Sequence, residues 1–154
     1  MAYGASRFDP KHGLPTIEVR VAGKDSKWRT IVRERKFIID SGSNLSFIES
    51  SDLRGMEIQY LGSVIGQTAS GTVAQNVFSG PILHFQGMNA KGEKIEFSCE
   101  EPFVIQSPAL LGGTAFKTTG VCVSLDYKRK TVRITGRKPR SRISVSSGGR
   151  SESD

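Results

Sequence analysis

The segment of this 154-residue chain that could most readily do chemistry is Phe37-Ile38-Ile39-Asp40-Ser41-Gly42-Ser43-Asn44. It places a carboxylate directly after an apolar strand and directly before small polar residues and a glycine. Ser41, Gly42 and Ser43 can donate hydroxyl and backbone N–H hydrogen bonds to that carboxylate, while burial at the strand end would make Asp40 harder to ionise. This pattern predicts an acid held ready for proton transfer. A strand that simply ends in an Asx turn would give the same tripeptide.

Two further segments lie at spacings that matter for a site around Asp40. The first, from Gly66 to Thr72, is small, polar and flanked by glycine, which favours the tip of an exposed hairpin. The second, Ala109-Leu110-Leu111-Gly112-Gly113, follows Asp40 by about 70 residues and runs from an apolar pair into glycines.

The elements that must position these segments are predicted to be strands. Apolar and polar residues alternate from Thr16 and again over Trp28 to Ile39, which is the period of a strand with one buried face. Further strands are predicted at 57–65, 73–78, 82–85, 94–97, 102–105, 121–125 and 131–134, with a loop at 40–52 and one helical turn at 114–118. No apolar period of 3.6 residues persists over three turns, so we expect an all-β fold. The same order of features occurs twice in the sequence: a strand, a turn, a strand, an apolar pair and a glycine-bearing loop. This repetition suggests a duplicated unit within one domain.

Together these features resemble the retroviral-type (retropepsin-like) aspartic proteases over residues 14–136. Residues 38–43 resemble the family's active-site loop, 66–72 its flap, and 109–113 the apolar segment that crosses behind the loop. The resemblance departs at Ser41, where threonine is commoner, and at Gly113, where a larger and often charged residue is usual. It implies a single-domain acid-protease fold, a closed β-barrel with a flap hairpin, assembled as a symmetric homodimer.

The same resemblance assigns roles to individual residues. It makes Asp40 catalytic and Ser41, Gly42 and Ser43 supports of the active-site loop. The residues implied to close over an extended peptide as the flap are Gly66, Gln67, Thr68, Ala69, Ser70 and Gly71, and those implied to lie behind the active site are Leu111 and Gly112. Ser41 would interlock across the dimer axis, Ser43 would donate to the outer carboxylate oxygen, and the dimer sheet would use strand 132–134 and the chain near Thr16.

The chain holds one Asp-Ser-Gly, and the mechanism of this class needs two carboxylates. A symmetric homodimer would supply a second copy of Asp40 across the two-fold axis. Two such carboxylates share a proton, so the ionised one can activate water while the protonated one polarises the scissile carbonyl. The expected activity is therefore an aspartic endopeptidase acting on peptides or proteins, with no cofactor and no metal.

The formal net charge of +7 belongs to one end of the chain. Residues 1–127 hold 13 basic and 13 acidic side chains, whereas 128–154 hold nine basic and two acidic ones. We expect an irregular lead-in at 1–13, the protease domain at 14–136 and a disordered Ser/Arg/Gly-rich tail at 137–154. That tail could contact nucleic acid or acidic surfaces weakly, or serve only as a soluble linker.

Composition excludes several other classes of protein. Two cysteines, Cys99 and Cys122, do not make a disulfide framework and are expected to be buried thiols in strands. Two histidines make a histidine metal cluster or a Ser-His-Asp triad unexpected, and His84 is expected to be packed or hydrogen-bonded within a strand. No apolar run reaches the roughly 20 residues of a membrane span, and no signal-peptide core is visible, so an intracellular protein is expected.

Three alternatives to a protease remain open from the sequence. One is an inactive domain of the same fold that dimerises or binds peptides. Another is a nucleotide pyrophosphatase of the dUTPase type, which also carries an apolar strand into an Asp-Ser-Gly-like turn, although no Tyr-Arg-Gly follows Asp40 and the tail lacks an aromatic residue. The third is nucleic-acid binding by the basic end, where residues 128–142 hold eight basic and no acidic side chains.

Overall fold

The computed structural model of the protein describes residues 5–11, 13–68 and 71–137. The described strands are β1 (Ala5–Arg7), β2 (Thr16–Lys24), β3 (Thr30–Asp40), β4 (Ser46–Ile48), β5 (Gln59–Thr68), β6 (Gly71–Ser79), β7 (Ile82–Met88), β8 (Lys94–Cys99), β9 (Phe103–Ile105), β10 (Leu110–Gly112), β11 (Cys122–Asp126) and β12 (Thr131–Thr135). The helix α1 spans Gly113–Thr119, and a short 3-10 helix spans Ser50–Leu53. The prediction of an all-β protein is confirmed.

The hairpin of β2 and β3 is the element that carries Asp40. Its two strands pair antiparallel from Thr16 opposite Ile38 to Lys24 opposite Thr30. Because successive side chains point to opposite faces, the odd-numbered residues of β2 face the core and its even-numbered residues face outward. The core contains Val19, Val21, Phe37, Phe85, Phe97, Phe103, Leu111, Val132 and Ile134, all nearly inaccessible, and burying each such side chain is worth about 1.5–3 kcal/mol.

The strands form one sheet that is not a closed barrel, so the predicted closure is wrong. The strand order is β1-β12-β7-β2-β3-β10-β4-β9-β6-β5, with β8 added on β7 and β11 added on β12. Closure requires the two end strands to pair with each other, but β1 is only three residues long and β5 pairs only with β6 among the described residues.

Two parallel pairings in the centre of the sheet are related to each other. Strand β10 pairs parallel with the end of β3, and β4 pairs parallel with β9. In each half of the chain, one strand leads into a loop and the next strand leaves it. The strand that leads into the loop of one half pairs with the strand that leaves the loop of the other half. This reciprocal arrangement supports the duplicated unit that the sequence suggested.

Short elements account for the differences from the predicted strands. The lead-in at 1–13 contains β1, which pairs antiparallel with β12, so the described part of it is not wholly irregular. The predicted loop at 40–52 contains β4 and most of the 3-10 helix. The tail predicted to be disordered lies outside the described residues except for Arg137.

The strands predicted to build a dimer sheet already have neighbours within the chain. Along β12, Val132 lies opposite Ser6 of β1 and opposite Leu125 of β11. Strand β2, which begins at Thr16, lies between β3 and β7. The prediction that 132–134 offers an edge for dimerisation is therefore wrong, because main-chain groups that pair within the sheet cannot also pair with a second copy.

The two cysteines differ in their surroundings. Cys99 is buried in β8, as predicted, whereas Cys122 of β11 is exposed, so the prediction of two buried thiols is wrong for Cys122. Burial, with a smaller contribution from Glu101, raises the pKa of Cys99 to about 12. His84 lies partly buried in β7 with its Nδ1 2.8 Å from the Ser98 hydroxyl, which agrees with the prediction of a hydrogen-bonded strand residue.

Candidate active site

Asp40 is the last residue of β3, and its carboxylate is exposed in the single chain. Phe37 and Ile39 point into the core, so the alternation of the strand directs Ile38 and Asp40 to the outward face. The prediction that Asp40 is buried is therefore wrong for one chain. An exposed carboxylate at a strand end can be reached by a substrate or by a second protein molecule.

The turn after Asp40 is held by short hydrogen bonds to that residue. The backbone N–H of Gly42 donates to Asp40 Oδ1 at 3.0 Å, and the backbone N–H of Ser43 donates to the Asp40 carbonyl at 3.1 Å. A Cβ at Gly42 would lie 3.3 Å from Asp40 Oδ1, so glycine leaves room for the carboxylate. One carboxylate oxygen is thus fixed by the turn, as the small polar residues predicted.

The two serines of the turn are placed differently from each other. Ser41 is exposed beside Asp40. Ser43 is half-buried, and its hydroxyl donates to the carbonyl oxygen of Leu45 at 2.8 Å. The prediction that Ser43 donates to the Asp40 carboxylate is therefore wrong in this chain, since its one hydroxyl proton is already used within the loop.

The segment that precedes and begins α1 lies directly behind the turn. In the parallel pairing of β10 with β3, Leu111 lies opposite Ile39 and Gly112 lies opposite Asp40. The backbone N–H of Gly113 donates to the Ser43 carbonyl at 2.6 Å. Leu111 and Gly112 are both buried, and they lie behind the end of β3 through this pairing.

Further hydrogen bonds join this segment to the chain that follows the turn. The backbone N–H of Gly112 donates to the buried Ser46 hydroxyl at 3.0 Å. Thr114 donates to the Asn44 carbonyl through its backbone N–H at 3.0 Å and also through its hydroxyl. The loop that carries Asp40 is therefore bonded on its inner side at three successive residues of one segment.

Both glycines of this segment are required by the close approach of the loop. A Cβ at Gly112 would lie 2.5 Å from the Leu45 carbonyl oxygen, and a Cβ at Gly113 would lie 3.0 Å from the Ser41 carbonyl oxygen. Both distances are shorter than ordinary van der Waals contact, so a side chain at either position would displace the loop. The glycine at 113, which departs from the retropepsin-like pattern, thus has a local structural reason.

The predicted flap is a long hairpin made of β5 and β6. Gly66, Gln67 and Thr68 lie in β5, Gly71 begins β6, and Thr68 pairs with Gly71. Ala69 and Ser70, predicted as the tip, lie outside the described residues. The two strands continue further toward the tip than predicted, to Thr68 instead of Ile65 and from Gly71 instead of Val73.

The hairpin of β5 and β6 is uncharged, largely solvent-exposed and rich in exposed apolar side chains. Its exposed large apolar side chains are Tyr60, Leu61, Val64, Ile65 and Val73, of which Ile65 is 71% exposed. No charged residue occurs from Ile58 to Leu83. A two-stranded hairpin with apolar residues in water is the kind of surface that covers a ligand or a partner.

A cavity of about 690 Å³ lies on the outward face of β2 and β3, and we call it the β2–β3 cavity. Its lining residues are Asp9, Leu14, Thr16, Glu18, Glu34, Arg35, Lys36, Ile38, Glu49, Pro108 and Ala109. It shares its face of β3 with the Asp40 side chain, since Ile38 and Asp40 are two residues apart. Asp40 itself does not line it.

Sequence reasoning missed the role of Asp52, which lies at the end of the predicted loop at 40–52. Asp52 is only 3% exposed, and Arg35 binds both its carboxylate oxygens, at 2.9 Å from Nε and 2.8 Å from Nη2. Arg33 also donates to the Asp52 carbonyl at 2.9 Å. These hydrogen bonds raise the pKa of Arg35 above its usual value. The signal was available, because Arg33 and Arg35 share the core-facing parity of β3 with Phe37.

The described residues contain neither a candidate metal site nor a helix that could span a membrane. In residues 5–11, 13–68 and 71–137, no three His, Cys, Asp or Glu side chains come together in a way that could hold a metal ion. No helix in those ranges is long and apolar enough to cross a bilayer.

No protein-family model matches this chain, and no curated protein matches it significantly. The case for a function therefore rests on the residues and contacts of the site itself.

Proposed function

We propose that this protein is an aspartic endopeptidase in which two Asp40 carboxylates, one from each subunit of a homodimer, activate water to hydrolyse a peptide bond. The observation that carries the proposal is the setting of Asp40. Its carboxylate is exposed at the end of β3, one oxygen accepts the Gly42 N–H at 3.0 Å, and the loop is bonded from behind by Gly113.

The topology around Asp40 adds to this case. The loop after β3 and the segment of β10 belong to opposite halves of the chain, and the pairing of β4 with β9 repeats that relationship. Two equivalent strand–loop units agree with the duplicated unit that the sequence suggested, and only one of the two loops carries an Asp-Ser-Gly. One chain therefore offers half of a two-carboxylate site.

The chemistry follows from bringing two such carboxylates together. Two carboxylates about 3 Å apart cannot both ionise readily, so they share one proton. The ionised carboxylate takes a proton from water as the water attacks the scissile carbonyl, and the protonated carboxylate donates toward that carbonyl oxygen. The leaving nitrogen is then protonated, and no covalent intermediate forms. The apparent pKa values would belong to the pair.

The contact between subunits in this proposal involves the exposed turn at Ser41 and Gly42. Both residues are exposed in the single chain, and both follow Asp40 directly. Two copies that meet at this turn would bring the carboxylates together and would exclude water from them. Strand β12 plays no part, because its edges are occupied by β1 and β11.

The hairpin of β5 and β6 has the role of a flap in this proposal. Its uncharged and exposed surface would lie over a peptide held in extended form, and free main-chain groups could pair with that peptide like an added strand. Closing over the substrate would also exclude bulk water from the site, while the attacking water stays between the two carboxylates.

The test is hydrolysis of a diverse set of peptides by purified protein across acid to neutral pH. The expected result is cleavage that an active-site-directed aspartic-protease inhibitor blocks and that Asp40→Asn lowers by about 10³-fold or more. A matched control, Glu100→Gln, removes one exposed carboxylate elsewhere and should leave cleavage unchanged. Cleavage that survives in Asp40→Asn would overturn the proposal. Peptide binding without cleavage would favour the inactive binding domain, and dUTP hydrolysis would favour the pyrophosphatase.

A further inference from the structure

The turn between β2 and β3 presents the only tryptophan of the chain to solvent. We call residues 24–29 the Trp28 turn. Trp28 is 75% exposed, and its backbone has a φ of 61°. That left-handed conformation is unfavourable for a bulky residue with a Cβ and occurs mostly where surrounding contacts enforce it. An exposed indole in a strained backbone conformation calls for an explanation.

Asp25 enforces this conformation through hydrogen bonds on both sides of Trp28. Its Oδ1 accepts the backbone N–H groups of Lys27 at 2.8 Å and Arg29 at 2.9 Å, and its Oδ2 accepts Arg29 Nε at 2.9 Å. The backbone N–H of Trp28 donates to the Asp25 carbonyl at 3.0 Å. The backbone of the turn that presents the exposed indole is therefore preformed, which reduces the entropy that the backbone would lose on binding a partner.

The Trp28 turn is also positively charged. Lys24, Lys27 and Arg29 surround Trp28, and the single acid of the turn, Asp25, is paired with Arg29. Lys27 forms no ion pair within the described part of the chain. A rigid tryptophan flanked by cations has the composition of an interface anchor, because tryptophan and arginine dominate the binding energy of protein interfaces.

The β2–β3 cavity has the complementary chemistry. Four carboxylates line it, from Asp9, Glu18, Glu34 and Glu49, against the cations Arg35 and Lys36. The charge of Arg35 is already matched by the buried Asp52. Its apolar wall consists of Leu14, Ile38, Pro108 and Ala109. The volume of about 690 Å³ lies within the roughly 300–1,000 Å³ typical of ligand pockets, so it has room for an indole ring.

The Trp28 turn cannot enter the cavity of its own chain. Glu34, the cavity residue nearest the turn, lies opposite Arg20, which is four residues from Lys24 on β2, so at ~3.3 Å per residue the turn is about 13 Å from the cavity edge. The intervening strand is paired along its whole length with β3. A contact between these two surfaces therefore has to join two molecules.

We propose that the Trp28 turn of one copy of this protein docks into the β2–β3 cavity of a second copy. The indole contacts the apolar wall, while Lys27 faces the carboxylates near Glu34. Since both surfaces lie on the hairpin of β2 and β3, two hairpins placed antiparallel would satisfy both contacts reciprocally around a two-fold axis. The contact differs from the catalytic pairing at Asp40, because Asp40 does not line the cavity and the cavity residue that comes nearest to it along β3 is Ile38.

The test uses the fluorescence of Trp28, which no other tryptophan obscures. Emission and acrylamide quenching are measured together with sedimentation velocity while protein concentration rises from about 0.1 to 100 μM. The expected result is a blue shift and protection from acrylamide that develop together with the mass increase. Emission that stays that of a solvent-exposed indole at every concentration would overturn the proposal, whether or not the protein dimerises at Asp40.

Charge reversal identifies the two surfaces. Lys27→Glu and Glu34→Lys should each weaken the fluorescence-detected association by roughly tenfold or more, and an equimolar mixture of the two variants should recover it. Lys91→Glu and Glu100→Lys make the same charge changes at other exposed sites and should leave the association unchanged. Failure of the mixture to recover it would contradict the pairing of these surfaces. Asp40→Asn should leave the blue shift of Trp28 emission unchanged. The docking contact and the proposed protease activity are therefore tested independently of each other.

Discussion

Gly112 lies opposite Asp40 in the parallel pairing of β10 with β3. The carbonyl oxygen of Leu45, in the loop that follows Asp40, occupies the space where a side chain at Gly112 would begin. This relationship joins the two halves of the chain at the proposed catalytic residue. It also makes the position of Asp40 depend on the absence of a side chain about 70 residues later in the sequence.

Substituting Gly112 should therefore lower stability and disturb the loop. In Gly112→Ala the new methyl group would meet the Leu45 carbonyl oxygen at 2.5 Å, and such overpacking costs about 1–3 kcal/mol of unfolding free energy. The measurement is urea unfolding followed by circular dichroism. Gly42→Ala is the matched control, because its Cβ would meet its nearest neighbour at 3.3 Å. Equal stabilities of the two variants would contradict the close packing of the loop.

Asp52 should contribute to stability through its pairing with Arg35. Asp52→Asn leaves Arg35 without its charged partner, and we expect a loss of about 1–3 kcal/mol because the Asp52 carboxylate is buried while the arginine is partly exposed. Asp126→Asn removes a carboxylate whose ion pair with Arg129 spans 3.9 Å on the surface, and it should cost less. The comparison is made by thermal unfolding at neutral pH, and a smaller loss in Asp52→Asn than in Asp126→Asn would refute the role of the buried pair.

The two cysteines should differ in reactivity. Native protein at about pH 8 should expose one thiol to iodoacetamide, at Cys122, and unfolded protein should expose both. Cys99 is protected because it is buried and because its raised pKa of about 12 leaves almost no thiolate. Mass spectrometry of alkylated peptides identifies the modified residue. Rapid native labelling of Cys99 would contradict its burial.

The same raised pKa predicts how stability changes in alkaline solution. In the folded protein the Cys99 thiol stays neutral up to about pH 12, whereas in the unfolded chain it ionises near its ordinary value of 9.0. The stability that this group contributes is therefore fully present below pH 9 and is lost as the pH rises from 9 toward 12. Unfolding midpoints of wild type and Cys99→Ala, measured from pH 7 to pH 11, should converge as the pH rises. Parallel curves across this range would contradict the prediction.

Long alternating segments made most strands predictable, whereas three of the four strands of three residues, β1, β4 and β10, were not predicted. The start of β2 at Thr16 was predicted correctly because nine residues show the alternation of one buried face. Strands β1 and β4 have three residues each, which is too short to display a period. Their existence depends on β12 and β10, which lie far away in sequence.

The candidate site was predictable in position but not in its hydrogen bonds. The apolar strand, carboxylate and glycine located the turn at Asp40, and the second glycine segment located its support. The partner of the Ser43 hydroxyl was not predictable, because the Leu45 carbonyl competes with the carboxylate and only the loop geometry decides between them. Sheet closure was also not predictable, since it depends on whether β1 and β5 meet.

The most direct test of the central claim is the activity of mixtures of wild type and Asp40→Asn under conditions where subunits exchange. If each active site needs two copies of Asp40, an equal mixture contains about one quarter wild-type homodimers, and activity per wild-type chain should fall to about half. The account predicts this fall, together with an active species of dimeric mass. Activity per wild-type chain that stays constant at every mixing ratio would contradict a site shared between two subunits.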